Sequence, residues 1–267
     1  MIESLKTVAR RVAYSRAGAK WMQRLTEWRT AQNAEEPPAV DDDGVPIPSA
    51  FLITMVLGPI PWQDFLSGGR TAIDIFADAV NRNGGDFRGA ETVLDLGCGC
   101  GRLARFAPKV TDAAYYGVDY NQRLVDWCAA NLPGKYAKND LHPPLDFPTD
   151  YFDVVFLLSV FTHLRIDTQN EWLSELARIV KPGGFCLITF HDEDHPNMAL
   201  TDSSRDDLLV RKTLVYNDRA EGSNLISTFQ TRAATEEQFA DRFEVAEIIP
   251  STATPIQQAI AVLRRSA

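Results

Sequence analysis

From Thr92 onward the chain alternates short apolar runs with amphipathic stretches. Val93–Leu96, Tyr115–Val118, Lys135–Ala137, Val154–Leu158 and Phe185–Phe190 have the length and side chains of buried strands, the third run being the weakest. Between them, Asn121–Leu132 and Thr168–Val180 carry apolar residues at helical spacing; Trp172, Leu173, Leu176, Ile179 and Val180 form one stripe. Strand and helix in alternation predict a parallel sheet with crossover helices, the doubly wound α/β arrangement. Phe243–Ile249 and Ile260–Leu263 follow, joined through Pro250 to Pro255. That link is too short for a helical crossover, so the two runs are expected as a C-terminal antiparallel hairpin. The whole reads as a Rossmann-like, seven-stranded, mostly parallel sheet.

Upstream, Ile73, Ile75, Phe76 and Val80 give a helix face over Thr71–Val80 that ends before Gly84-Gly85. This helix leads into the first strand and covers one edge of its cleft. Phe51–Leu57 is an apolar run closed by Gly58-Pro59-Ile60-Pro61, and residues 31–49 turn acidic and Pro-rich, as in a linker or extended arm. Residues 1–30 carry Lys6, Arg10, Arg11, Arg16, Lys20, Arg24 and Arg29 among apolar positions that include Trp21 and Trp28. This predicts a basic amphipathic helix that lies on an acidic or glycolipid-rich membrane surface, or packs on its own domain or a second subunit as in a homodimer. The expected division is a basic helix and acidic arm over residues 1–50, an N-terminal helical extension, and one α/β domain over 51–267. The long insertion from Asn197 to Ala234 reads as part of a substrate lid at about 192–234.

Composition narrows the function classes. A chain of 267 residues, 45% hydrophobic and 24% charged, holds one core plus an appendage. A net charge of −9 and a pI near 5.0 argue against broad binding of nucleic acid, whose affinity comes mainly from Lys and Arg displacing counterions. Cys98, Cys100, Cys128 and Cys186 form no paired metal-knuckle pattern and read as reduced thiols of a cytoplasmic protein. No apolar run approaches bilayer length, and the N-terminus lacks a signal-peptide core.

Ligands of a doubly wound sheet bind beyond the carboxyl ends of its strands. The first exit is Asp95-Leu-Gly-Cys-Gly-Cys-Gly101, whose glycines allow a sharp turn and close backbone approach, with a helix expected from Arg102 to Phe106. The second is Asp119-Tyr120, placing a carboxylate to accept from a ribose diol, although Asp119 alone also suits a helix N-cap. The third is Asn139-Asp140-Leu141, the fourth Ser159-Val160-Phe161-Thr162-His163 and the fifth His191-Asp192. A nicotinamide fingerprint needs glycine where Arg102 stands, and the Gly-x-x-x-x-Gly-Lys-Ser/Thr phosphate loop is absent. A cofactor with a ribose and no pyrophosphate fits better.

Leu94-Asp-Leu-Gly-Cys-Gly-x-Gly101, Gly117-Val-Asp119, Asn139-Asp140, Phe152-Asp-Val-Val-Phe156 and Leu176-x-Arg-x-x-Lys-Pro-Gly-Gly184 resemble, in order, the successive motifs of class I S-adenosylmethionine-dependent methyltransferases. Gly-Cys-Gly-Cys-Gly-Arg102, Ser159-Val-Phe-Thr-His163 and the closing hairpin resemble a bacterial branch of small-molecule and sugar-related members. The resemblance implies S-adenosylmethionine as cofactor. It implies Asp95, Gly97, Cys98 and Gly99 around the methionine part, Asp119 on the ribose and Tyr120 against the adenine. Asp140 would accept from the adenine amino group beside Leu141, and Ser159 and Val160 would close the pocket near the sulfonium. Arg102 and Asn139 are counted with this cofactor set, and Phe161 is expected to offer a cation–π face.

A hydroxyl acceptor also needs its proton removed, a task that suits a neutral histidine. His163 is the expected base because the exit after the fourth strand adjoins the sulfonium in the resembling family, and His191, oriented by Asp192, is second. Either histidine could instead fix a loop or cap a helix. His191-Asp-Glu-Asp-His195 contains metal-ligand types, but such a loop reads as solvated and no metal is assigned. Arg205, Arg211, Lys212, Tyr216 and Arg219 of the lid read as a reader of carboxylate, phosphate or sugar, or as solvated surface. The expected function is O-methylation of a small molecule or saccharide. The Asn/Asp-Pro-Pro-Tyr signature for amino acceptors is missing, Ser159-Val-Phe-Thr162 standing in its place. N- or C-methylation and a non-catalytic S-adenosylmethionine-binding role are the alternatives.

Overall fold

The computed structural model describes residues 34–196 and 202–266. The expected N-terminal helix with Trp21 and Trp28, and residues 197–201 of the expected lid, lie outside the described residues.

Seven strands form one sheet in the order β3-β2-β1-β4-β5-β9-β8. They are β1 Thr92–Leu96, β2 Ala114–Asp119, β3 Lys135–Lys138, β4 Phe152–Leu157, β5 Val180–Phe190, β8 Glu244–Ile249 and β9 Ala259–Arg264. The first five pair in parallel, while β9 runs antiparallel to both β5 and β8. This is the expected topology. Strand order reverses between β1 and β4, which opens a crevice at their carboxyl ends. β5 starts earlier than its apolar run suggested, because Val180 pairs with Phe152 before a register shift carries the strand on to Val154 opposite Phe185.

Two-residue alternation divides the sheet between two cores. Leu94, Val155, Leu157, Cys186 and Ile188 pack on one face against Trp172, Leu173, Leu176 and Ile179 of helix α5, Ile166–Ile179. Val93, Val154, Phe156, Phe185 and Leu187 pack on the other against Ile73, Phe76 and Val80 of α2. That helix spans Trp62–Arg82, longer than the Thr71–Val80 stripe, because Phe65, Gly69 and Ala72 continue its buried face. A shorter helix, α1 (Ala50–Leu57), joins a third apolar cluster with Ile47, Ile53, Phe65, Cys100 and Leu124.

The acidic arm is docked on the domain. Arg105, whose side chain is fully buried, donates to the carbonyls of Val45 and Pro46 and pairs with Asp41 at 2.8 Å. The expected helix from Arg102 to Phe106 is instead a series of turns, mixing the Arg105 N–H to Gly101 bond with the shorter Phe106 to Leu103 step. Regular helix, α3, begins only at Ala107 and ends at Val110. Helix α4 (Gln122–Asn131) follows β2, capped by the Asn121 side chain accepting from the Arg123 N–H.

The insertion after β5 contains helix α6 (Asp202–Arg211) and a two-stranded antiparallel sheet, β6 (Thr213–Tyr216) with β7 (Ser227–Gln230). It joins the main sheet where His191 bridges Phe229 and its carbonyl accepts the Gln230 N–H at 2.9 Å. Helix α7, Arg232–Ala240, then leads back to β8. Among the described residues no helix is long and apolar enough to cross a membrane.

Candidate active site

The glycine turn is stitched to the end of β2. Gly97 and Cys98 donate their N–H groups to the Val118 carbonyl at 2.7 and 3.0 Å, and Gly99 donates to Asp119 Oδ2 at 2.9 Å. Gly97 has φ +82° and Gly101 φ +78°, conformations that side chains rarely adopt. A Cβ on Gly97 would also lie 2.4 Å from Val160 Cγ2, so this turn and the β4 exit pack without a side chain between them. Asp119 is not the N-cap of α4, a place that Asn121 takes, but it braces the turn into that helix. Its Oδ1 accepts the Asn121 N–H at 2.8 Å at the start of α4, while its carboxylate still faces the cleft.

The two acidic groups are buried. Asp95 is 1% exposed and accepts from the Tyr115 hydroxyl at 2.8 Å; burial, with Asp119 nearby, pushes its carboxyl up to about 7. Burial raises Asp119 to about 6, against the opposing pull of its two backbone donors. Arg102 extends between the turn and α2, and Gly68 and Gly69 make the room: a Cβ on Gly68 would meet Arg102 Nη2 at 2.4 Å. Its Nε is buried without a hydrogen-bond partner among the described residues, and desolvation draws the guanidinium down to about 10, still a cation at neutral pH. At the β3 exit, Asn139 donates to the Asp140 carbonyl, while its Oδ1 is buried without a partner.

At the β4 exit, Ser159 has φ +61°, an uncommon value for a residue with a side chain. Three bonds hold it: its N–H donates to Thr189 Oγ1 at 2.7 Å, its Oγ accepts from Gln258 Nε2 at 2.6 Å, and its carbonyl accepts from Thr162 Oγ1. One turn on, His163 Nδ1 lies 2.9 Å from the Ile226 carbonyl. Because a carbonyl only accepts, Nδ1 carries the proton and Nε2 is left as the basic nitrogen. Burial lowers the imidazole below its ordinary value, favouring the neutral ring.

Asp95, Gly97, Cys98, Gly99, Arg102, Asp119, Tyr120, Asn139, Asp140, Leu141, Ser159, Val160 and His163 all line one cavity of about 750 Å³. Cys98 contributes mainly backbone, since its sulfur is tucked toward Gly117 and burial beside Cys128 raises its thiol further.

The remaining expectations change. His191 and Asp192 are not among the residues lining the cavity, and they do not form a pair. Asp192 accepts from Ser251 N and Oγ and from Arg232, while the His191 ring stacks on His195 and Phe229 at 4.0 and 4.9 Å. The carboxylates of that loop are engaged, Asp194 holding both Arg205 and Arg232. The polar lid residues stay out of the lining: Arg205 pairs with Asp194, Lys212 reaches Glu237, and none of Arg205, Arg211, Lys212, Tyr216 and Arg219 lines the cavity. Phe161 is 1% exposed and packs edge-on to Phe239, which removes it as a cation–π face.

Sequence reasoning missed Tyr115, Thr189 and Gln258, which hold site residues from behind. Tyr115 and Thr189 carried a signal, a hydroxyl inside an apolar strand that must find a partner. It also missed the outer walls. Phe51, Met55, Val56 and Leu57 of α1 line the cavity, with Val56 lying over Gly99, and so do Gly222, Ser223 and Asn224.

An unpartnered acceptor at Asn139, an unpartnered buried donor at Arg102 and two buried carboxylates between them suit a ligand that carries an amino-bearing base, a ribose, a cation and a carboxylate. Residues 94–188 match the family described as Methyltransferase domain. The chain carries a class I S-adenosylmethionine-dependent methyltransferase domain. Its cofactor is S-adenosylmethionine.

Within this methyltransferase family, the chain is 33% identical over 101 residues to a fatty-acid O-methyltransferase of Mycolicibacterium smegmatis, 36% of either chain. The match thus spans about a third of that curated relative's length. The fold is similar to magnesium protoporphyrin IX methyltransferase of Synechocystis with bound S-adenosylhomocysteine, at TM-score 0.56 and 16% identity over 90% of this chain and 93% of that one. It is also similar to 1,6-didemethyltoxoflavin-N1-methyltransferase of Burkholderia thailandensis, at TM-score 0.57 and 15% identity over 81% and 86%. Methyltransferases of unlike acceptors thus share the sheet.

Proposed function

We propose that this chain is an O-methyltransferase acting on the hydroxyl of a small molecule, with His163 as general base. The observation that carries the reading is the His163 tautomer: the Nδ1 proton is committed to the Ile226 carbonyl, which leaves Nε2 as the basic nitrogen of a half-buried ring that lines the cofactor cleft with Ser159 and Val160.

When bound, S-adenosylmethionine supplies a methyl group as an electrophile, the carbon–sulfur electron pair staying on sulfur as the new oxygen–carbon bond forms. Asp119 would hold the ribose and Asn139 Oδ1 would accept from the adenine amino group, with Asp140 at the exposed rim. Asp95 would favour the cationic groups, and Arg102 would pair with the methionine carboxylate. Ser159, fixed by Thr189 and Gln258, holds the β4 exit against Gly97 so that the reacting groups stay aligned, the main source of catalysis in an in-line displacement. His163 Nε2 takes the acceptor's proton. The lid role falls on Gly222–Asn224, because this loop reaches α1 through the Asn224 amide donating to the Met55 carbonyl at 3.0 Å.

The test is His163→Gln. Affinity for S-adenosylhomocysteine should persist, while methyl transfer falls by about 10² to 10⁴ and the acid limb of the wild-type rate profile disappears. That limb arises because the imidazole must be neutral, so activity is lost as pH falls through its lowered pKa. Unchanged turnover with an unchanged profile would remove His163 from the mechanism.

A further inference from the structure

We infer that the acceptor is an uncharged, mostly apolar molecule bearing a hydroxyl, and neither a saccharide nor an anion. The inference rests on the methyl-transfer reading and concerns the part of the cleft lining that carries no carboxylate, guanidinium or ammonium group.

Charge is divided unevenly around the cavity. Its carboxyl, guanidinium and ammonium side chains, Asp95, Arg102, Asp119, Arg123, Lys138 and Asp140, all lie in or after β1, β2 or β3. The rest of the lining comes from α1, the β4 exit, Trp172 and the loop at Gly222, and among the described residues His163 is its one titratable side chain. Phe51, Met55, Val56 and Leu57 are half-buried, and the last three pack on the apolar cluster around Ile53, Phe65 and Leu124. An ionised acceptor placed there would lose hydration without gaining a counterion.

Each polar side chain of this lining already has a partner. Ser223 Oγ donates to the Ala220 carbonyl at 2.6 Å, and the Asn224 amide donates to Met55. Ser159 Oγ accepts from Gln258, and Trp172 Nε1 donates to the Leu141 carbonyl at 2.9 Å. A saccharide would bring several hydroxyls to a surface with few groups left to receive them, whereas one hydroxyl meets His163 Nε2. Such a cavity, apolar with a few converging polar groups, selects for shape and for the position of that hydroxyl.

The experiment compares three probes on the full chain saturated with S-adenosylhomocysteine: 2-naphthol, 2-naphthoate and phenyl β-D-glucoside, by titration calorimetry. Affinity for 2-naphthol should exceed that for the other two by about tenfold or more, and with S-adenosylmethionine only 2-naphthol should be methylated. Met55→Lys, with its melting temperature as the folding control, should narrow or reverse the preference of 2-naphthol over 2-naphthoate. Failure of S-adenosylhomocysteine to bind would overturn the methyltransferase reading itself. Normal S-adenosylhomocysteine binding with equal or better affinity for 2-naphthoate or the glucoside would overturn the acceptor class alone, and preference for 2-naphthoate would move Arg102 to the acceptor.

Discussion

Asp95→Asn should make the ligand-free protein more stable while weakening its hold on the cofactor. The substitution keeps the side chain's shape, and the Tyr115 hydroxyl can still donate to the amide oxygen. What it removes is a carboxylate with 1% exposure whose pKa stands at about 7 against 3.8 in the unfolded chain. That difference corresponds to about 4 kcal/mol against the ionised form in the fold. The native carboxyl keeps its proton to higher pH than the unfolded one, so the fold loses stability as pH rises from about 4 through 7, and the full penalty stands above 7. The new amide NH₂ needs a partner, which offsets on the order of 1–3 kcal/mol. A net gain of about 2 kcal/mol at pH 8 is therefore expected, or roughly 4–8 °C in melting temperature.

Scanning fluorimetry of both proteins at pH 5 and pH 8 measures the gain, which should be larger at pH 8. Calorimetric titration should find S-adenosylmethionine bound about 10- to 100-fold more weakly, from loss of a charged partner. A variant less stable at pH 8, or a difference identical at the two pH values, would refute the reasoning, because Asp95 would then not be a carboxylate held ionised against its burial.

Three further outcomes are expected. His191 is buried against His195 and Phe229, and its imidazole is pushed down to about 2, so it stays neutral in the fold and gains a proton in the unfolded chain below about 6.5. Stability is thus lost as pH falls through 6.5, and His191→Phe should flatten the fall in melting temperature between pH 7 and 5. Arg105→Ala should release the arm, giving faster protease cleavage between residues 37 and 48 and a loss of about 1–3 kcal/mol. Gln258→Ala should leave S-adenosylhomocysteine affinity near wild type and lower kcat more than it raises KM, as expected if Gln258 acts through the position of Ser159; equal loss in binding would make its role merely structural.

The sheet could be read from the chain because each strand announces itself locally. Val154 to Leu157 alternate between two cores, and the pattern is dense enough that a one-residue slip would place every side chain on the wrong face. The exits were legible for the same reason, as Asp95 and Asp119 lie at the carboxyl ends of β1 and β2 and Asn139, Ser159 and His163 come shortly after β3 or β4. What stayed hidden depends on distance along the chain. Nothing near His191 indicates that Asp192 is taken by Ser251 and Arg232, or that Phe161 turns inward onto Phe239. Nor does anything near Gly68 and Gly69 indicate that they lie inside α2 to let Arg102 cross the helix there.

The two halves of the cleft therefore have different physical origins. The cofactor half is built at the ends of adjacent parallel strands, where a change to one residue disturbs the register that places its neighbours. Its carboxylates must stay buried to be effective, and the fold carries that penalty at Asp95 and Asp119. The acceptor half is assembled from α1 and the loop at Gly222, segments outside the sheet that meet across the cavity through one exposed hydrogen bond, Asn224 to Met55. Side chains such as Met55 and Leu57 can change size or polarity at little expense to the sheet. On the proposed reading acceptor choice rests on residues 51–57 and 222–224, where exchange of side chains should redirect specificity while the binding of S-adenosylmethionine persists.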